Sequence, residues 1–94
     1  MNVVELDEVQ YDLEVDGDQV REQLARRVWE HSGWATVAIT FREKDKAGAW
    51  KPAKLTVLRF RRVHDVWQRQ AQVTLPDDEA RELATWIGDA LSAS

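Results

Sequence analysis

The chain contains no cysteine. Disulfide bonds, thiolate metal sites and cysteine nucleophiles are therefore excluded. Glycine is sparse, and Gly17, Gly33, Gly48 and Gly88 stand far apart, so no glycine-rich loop is available to cradle a phosphate. His31 and His64 lack metal-ligand spacing, and no motif groups a serine, histidine and aspartate for nucleophilic catalysis. No apolar run approaches the roughly 18 residues needed to span a bilayer. The N-terminal MNVVELDEVQ is acidic and has no apolar signal-peptide core. These absences lead us to expect a cytoplasmic, non-enzymatic domain with no cofactor and no membrane partner.

What is present fits one folded unit spanning residues 1–94. Hydrophobic residues make up 44% of the chain, too many for a disordered segment. Charge is unevenly spread. Residues 1–33 carry a net −6, residues 34–75 a net +6, and residues 76–94 a net −4, within a total of −4. Such asymmetry bears on partners rather than on fold.

Periodicity sets the expected elements. Val9, Tyr11, Leu13 and Val15 alternate with polar residues, which reads as a strand with an acidic outer face, ended by Gly17. Val20, Leu24 and Val28 recur at four-residue spacing behind Asp16 or Asp18 as the cap, and Ser32-Gly33 follows as a stop. That pattern predicts an amphipathic helix. Alternation in Ala35, Val37, Ile39 and Phe41 predicts a strand, and Lys54–Val63 and Trp67–Leu75 predict two more around a His64-Asp65 turn. REKDKAGAWKP between them is a polar loop. Pro76 opens a second helix with Asp77, Asp78 and Glu79 in its first turn and Ala80, Leu83, Ala84, Ile87 and Leu91 as its apolar stripe. The expected fold is α+β, a four-stranded antiparallel sheet with two helices packed on one face, in the order β-α-β-β-β-α.

Strand parity then sorts the two faces. Val9, Tyr11, Leu13, Val37, Ile39, Phe41, Leu58, Phe60, Ala71 and Val73 are expected to meet the helices. The opposite face collects Thr36, Thr40, Arg42, Arg59, Arg61, Gln68, Gln70, Gln72 and Thr74, with Lys44, Lys46, Lys51 and Lys54 extending the positive charge along the loop. Arginine forks match phosphate geometry, and glutamine bonds base edges or sugars. Of the five tryptophans, Trp34 and the loop residue Trp50 are placed for stacking on bases. A competing reading has Asp12 and Glu14 of the first strand lying beside these arginines and neutralising them.

The order of residues 18–92 is similar to that of the double-stranded-RNA-binding domain. That family, however, puts lysines where this chain has Pro76-Asp77-Asp78-Glu79. Over the C-terminal two thirds of the chain, Phe41-Arg42-Glu43, Gly48-Ala49-Trp50-Lys51-Pro52 with Lys54, and Val73-Thr74-Leu75 before a helix with Glu79 and Leu83 loosely resemble the positive cofactor four family. These are single-stranded-DNA-binding transcription coactivators. The resemblance implies DNA contacts from Arg42, Lys51 and Lys54, a role in transcription regulation, and dimerisation through the last helix. The family lacks both the helix expected between the first two strands and the strand Leu55–Val63.

Two functions follow. One is a single-stranded nucleic-acid-binding module using Arg42, Lys44, Lys46, Trp50, Lys51, Lys54, Arg59 and Arg61. The other is a protein-interaction or regulatory domain, a homodimer whose acidic ends meet the basic middle of a second copy.

Overall fold

A computed structural model describes residues 3–93, with side chains from Glu5 onward. Its elements are β1 (Val3–Val4), a single 3-10 turn (Leu6–Glu8), β2 (Leu13–Val15), β3 (Asp18–His31), β4 (Trp34–Glu43), β5 (Lys54–Val63), β6 (Val66–Pro76) and α1 (Asp77–Ser92). Strands β2 to β6 form one curled antiparallel sheet, a half-barrel, in simple meander order. The two-residue β1 adds to the outer edge of β6 through Val3 and Val4 opposite Gln68 and Trp67.

This corrects the expected four strands and two helices: five main strands precede one helix among the described residues. Residues 18–31 form a strand because both of their ends are tight hairpins. Asp16 and Gly17 have φ of 52° and 81°, and Ser32 and Gly33 have φ of 48° and 80°. Two consecutive residues with positive φ make the turn whose twist matches paired strands. Positive φ at Ser32-Gly33 serves a hairpin as well as a helix end, and the ten-residue partner β4 decides between them. The four-residue apolar spacing is no stripe. The register slips at Leu24, which leaves Val28 on the face of Val37, whereas Val20 precedes the slip, where its carbonyl accepts from the backbone N–H of Lys44.

The core lies on one sheet face. Ala35, Val37, Ile39 and Phe41 from β4 meet Leu58 and Phe60 from β5, with Trp67 from β6, all buried. No α-helix among the described residues covers this face. The segment from Leu6 to Tyr11 lies across it, with Val9 buried and Leu6 and Tyr11 packed against the cluster. Val9 and Tyr11 thus belong to a strap, and the strand expected over residues 9–15 shrinks to Leu13–Val15.

Three side chains from β3 fasten the strap. Arg26 donates from Nη2 to the Leu6 carbonyl and from Nε to the Val9 carbonyl at 3.1 Å. Arg21 Nε donates to the Tyr11 carbonyl at 2.7 Å, and Gln23 Oε1 accepts from the Tyr11 backbone N–H at 3.1 Å. These bonds satisfy strap backbone that has no strand partner.

A second slip, between Arg59 and Phe60 against β6, re-aims the last strand. Ala71 and Val73, expected in the core, pair with Arg59 and Val57 on the open face, and Val73 is half exposed. Gln72 and Thr74, expected on the polar face, turn to the core side instead. There Gln72 Nε2 and the Thr74 hydroxyl both bond the hydroxyl of fully buried Thr56, at 3.2 and 3.1 Å.

Candidate nucleic-acid interface

The open face is built in cross-strand rows. His31, Trp34, Arg61 and Gln68 form the row nearest the β3–β4 turn, and Trp29, Thr36, Arg59 and Ala71 form the next. Arg27, Ala38, Val57 and Val73 follow, then Ala25, Thr40, Leu55 and Leu75. One end of the face is therefore aromatic and cationic, and the middle is apolar.

At the cationic end two guanidinium groups converge on one ring. Arg59 lies 4.8 Å from the Trp34 ring centroid and Arg61 lies 5.5 Å from it. Arg59 also donates to the Thr36 hydroxyl at 2.7 Å. Arg27 sits 5.2 Å from the ring of Trp29, a tryptophan that is half exposed. Arg59 and Arg61 are themselves exposed, and neither they nor Arg27 forms an ion pair among the described residues. The rings hold the arginines in place while leaving their charge uncompensated.

Other expected site residues form a second group, more fully neutralised. Arg42 and Lys44 lie 4.2 and 5.0 Å from the Trp50 ring centroid. Arg42 is bonded to Glu22 at 2.8 Å, Lys44 to Asp18 at 2.9 Å and Lys54 to Glu43 at 3.2 Å. Lys46 and Lys51 are exposed in the β4–β5 loop and make no ion pair among the described residues. The structure therefore divides the expected site. Arg59 and Arg61 join Trp34; Arg42 and Lys44 join Trp50; Lys54 points toward the core side beside Phe41.

The neutralising carboxylates are not those expected. Asp12 precedes β2 and Glu14 lies in it, on the far side of β3 and β4 from Arg59 and Arg61. Asp18 and Glu22 of β3 do the pairing, because β3 is the strand next to β4. Reading β3 as a helix also hid Trp29 and Arg27. Their signal was the alternation of Arg27, Trp29 and His31 up to a Ser-Gly turn.

Helix α1 leaves the sheet at Pro76 and borders a cleft of about 380 Å³. Its first turns, through Ala80 and Ala84, face Leu24, Thr40 and Leu55 across that cleft. No helix among the described residues is long and apolar enough to cross a membrane. No protein-family model matches the chain, and neither curated proteins nor solved structures give a significant match.

Proposed function

We propose that the open face binds single-stranded nucleic acid at the Trp34–Arg59–Arg61 cluster. The observation that carries this reading is the pair of exposed, uncompensated guanidinium groups held over one indole ring. Each element has a role. Guanidinium edges take phosphate oxygens in a fork, ring faces take bases, and both are sequence-tolerant. Trp29 with Arg27 extends the platform across one strand, while Thr36 and Gln68 offer hydrogen bonds to sugar or base. Lys46 and Lys51 supply longer-range attraction. Arg42, Lys44, Trp50 and Lys54 act as a secondary basic edge, weakened by Glu22, Asp18 and Glu43.

The likeness to the positive cofactor four family supports the same reading. Residues 18–31 form a strand and not the expected helix, while the strand over Lys54–Val63, which that family lacks, is present. A role in transcription regulation in the reducing cytoplasm fits a cysteine-free, nucleic-acid-binding chain.

The test is Arg59→Ala with Arg61→Ala, measured by anisotropy of a labelled single-stranded oligonucleotide. Losing two phosphate contacts lowers affinity about tenfold or more at low salt and flattens the log–log salt slope by about 1.4 for a single strand. Lys46→Ala with Lys51→Ala has the smaller effect. Unchanged affinity in the arginine variant refutes the site.

A further inference from the structure

Strand β3 is paired along most of its length on one side but only at its start on the other. Strand β4 lies along it from Arg21 to His31, whereas β2 covers its outer edge only from Asp18 to Arg21. Gln23 is closed next, because Asp12 Oδ1 accepts from its backbone N–H at 2.8 Å. Beyond it, no strand among the described residues lies against the outer edge of residues 25–31. The register fixes which groups that edge presents. His31 and Trp34 flank the Ser32-Gly33 turn and exchange ladder bonds, as do Trp29 with Thr36, Arg27 with Ala38 and Ala25 with Thr40. The N–H and C=O groups of Arg26, Val28 and Glu30 therefore point away from β4. The side chains there are also incompletely matched. Arg27 and Glu30 are exposed and form no ion pair among the described residues. Val28, between them, is partly buried against the core cluster. An open edge of this kind is a template for another strand. The sheet already holds short extended segments in this way, Val3–Val4 on β6 and Leu13–Val15 on β3.

We propose that residues 25–31 bind an extended segment of another protein as an added antiparallel strand, with a basic residue opposite Glu30, an aliphatic residue opposite Val28 and an acidic residue opposite Arg27. Main-chain bonds to Arg26, Val28 and Glu30 hold the segment, and its alternate side chains select it. Every strand pair among the described residues is antiparallel, which sets the direction. Opposite charges across a ladder stabilise it and like charges destabilise it. A second copy is a poorer occupant. Paired about Val28, it sets Arg27 against Trp29 and leaves Arg27 without a carboxylate. Glu30 then meets Arg26, whose guanidinium is already bonded to the Leu6 and Val9 carbonyls. Pairing about Arg27 or Glu30 sets like charges opposite each other. The edge is independent of the nucleic-acid cluster, since Trp34, Arg59 and Arg61 lie on β4 and β5.

The probe is the synthetic peptide acetyl-Thr-Lys-Thr-Val-Glu-Thr-amide, which sets Lys, Val and Glu opposite Glu30, Val28 and Arg27. It is titrated into the intact protein and followed by amide resonances. The amides of Arg26, Val28 and Glu30 are expected to shift saturably and to slow in hydrogen exchange. N-methylation of the peptide's Val, whose N–H faces β3, weakens binding about tenfold or more. N-methylation of its Glu, whose N–H faces away, changes binding by no more than about twofold. Exchanging Lys and Glu in the peptide weakens binding several-fold, and the protein variant Arg27→Glu with Glu30→Arg restores it. Both residues are exposed, so the variant keeps the fold. No saturable shift at these amides, equal loss from the two N-methylated peptides, or indifference to the charge exchange overturns the proposal. So does a doubled mass of the peptide-free protein with the same amides already protected, which gives the edge to a second copy.

Discussion

Arg26 and Arg27 are neighbours in the chain with opposite roles, and replacing each by alanine separates them. Arg26 faces the core side, where its guanidinium bonds the carbonyls of Leu6 and Val9. Hydrogen bonds to a charged group contribute about 1.5–3 kcal/mol each. Arg26 is only partly buried, so the low end applies, and two bonds give about 3 kcal/mol. A domain of this length has about 5–14 kcal/mol in total. Arg26→Ala therefore removes a large share of its stability. With a urea m-value near 1.5 kcal/mol/M the midpoint falls by about 2 M. Amide exchange should accelerate most over residues 6–11, because the strap is released first. Arg27→Ala lies on the open face over Trp29 and changes stability by no more than about 0.5 kcal/mol. Equal losses in the two variants would refute the slipped register at Leu24, and with it the strap.

Three further outcomes follow from particular residues. His64 and Asp65 both hold positive φ, at 53° and 66°, in the β5–β6 turn. Replacing them with Asn-Gly relieves that strain and raises stability by about 1 kcal/mol in thermal or urea unfolding. Thr56→Val keeps the shape but removes the hydroxyl that Gln72 and Thr74 bond, which costs about 1–2 kcal/mol by the same measurement. Phe60→Ala empties the centre of the core and costs about 3–5 kcal/mol, enough to broaden or abolish the cooperative transition.

Much of the central architecture was legible in residue alternation. Strands Trp34–Glu43 and Lys54–Val63 lie where the period of two places them, because one face of each is buried. The acidic first turn after Pro76 marks α1 for the same local reasons that start any helix. Three features were hidden. Residues 18–31 contain good helix formers, and a strand arises there only because β4 is available to pair with them. Propensity is a weak prior against ten residues of ladder. The slips at Leu24 and between Arg59 and Phe60 each move side chains to the other face, and simple parity counting does not anticipate a bulge. That is why Gln72 and Thr74 were assigned to the wrong side. The strap over the core carries a strand-like alternation at Val9 and Tyr11, but side chains from β3, not a neighbouring strand, satisfy its backbone.

The same causes explain what was seen of the candidate site. Arg59 and Arg61 precede or straddle the second slip and pair directly with Thr36 and Trp34 of regular β4, so parity placed them on the open face. Trp34 was legible for the same reason. Trp29 and Arg27 were not, because they sit on the strand read as a helix. The loop lysines were visible as charge, but their partners were not. Neutralisation of Lys44 and Arg42 depends on β3 running beside β4.

The most direct test of the open face as a nucleic-acid site is a fluorescence titration of the intact protein with single-stranded and duplex oligonucleotides at low and moderate salt. Trp34 and Trp29 report base stacking directly. The account predicts saturable quenching by single strands that weakens steeply as salt rises, with duplex binding weaker at every salt concentration. No saturable signal with single strands at low salt would contradict it.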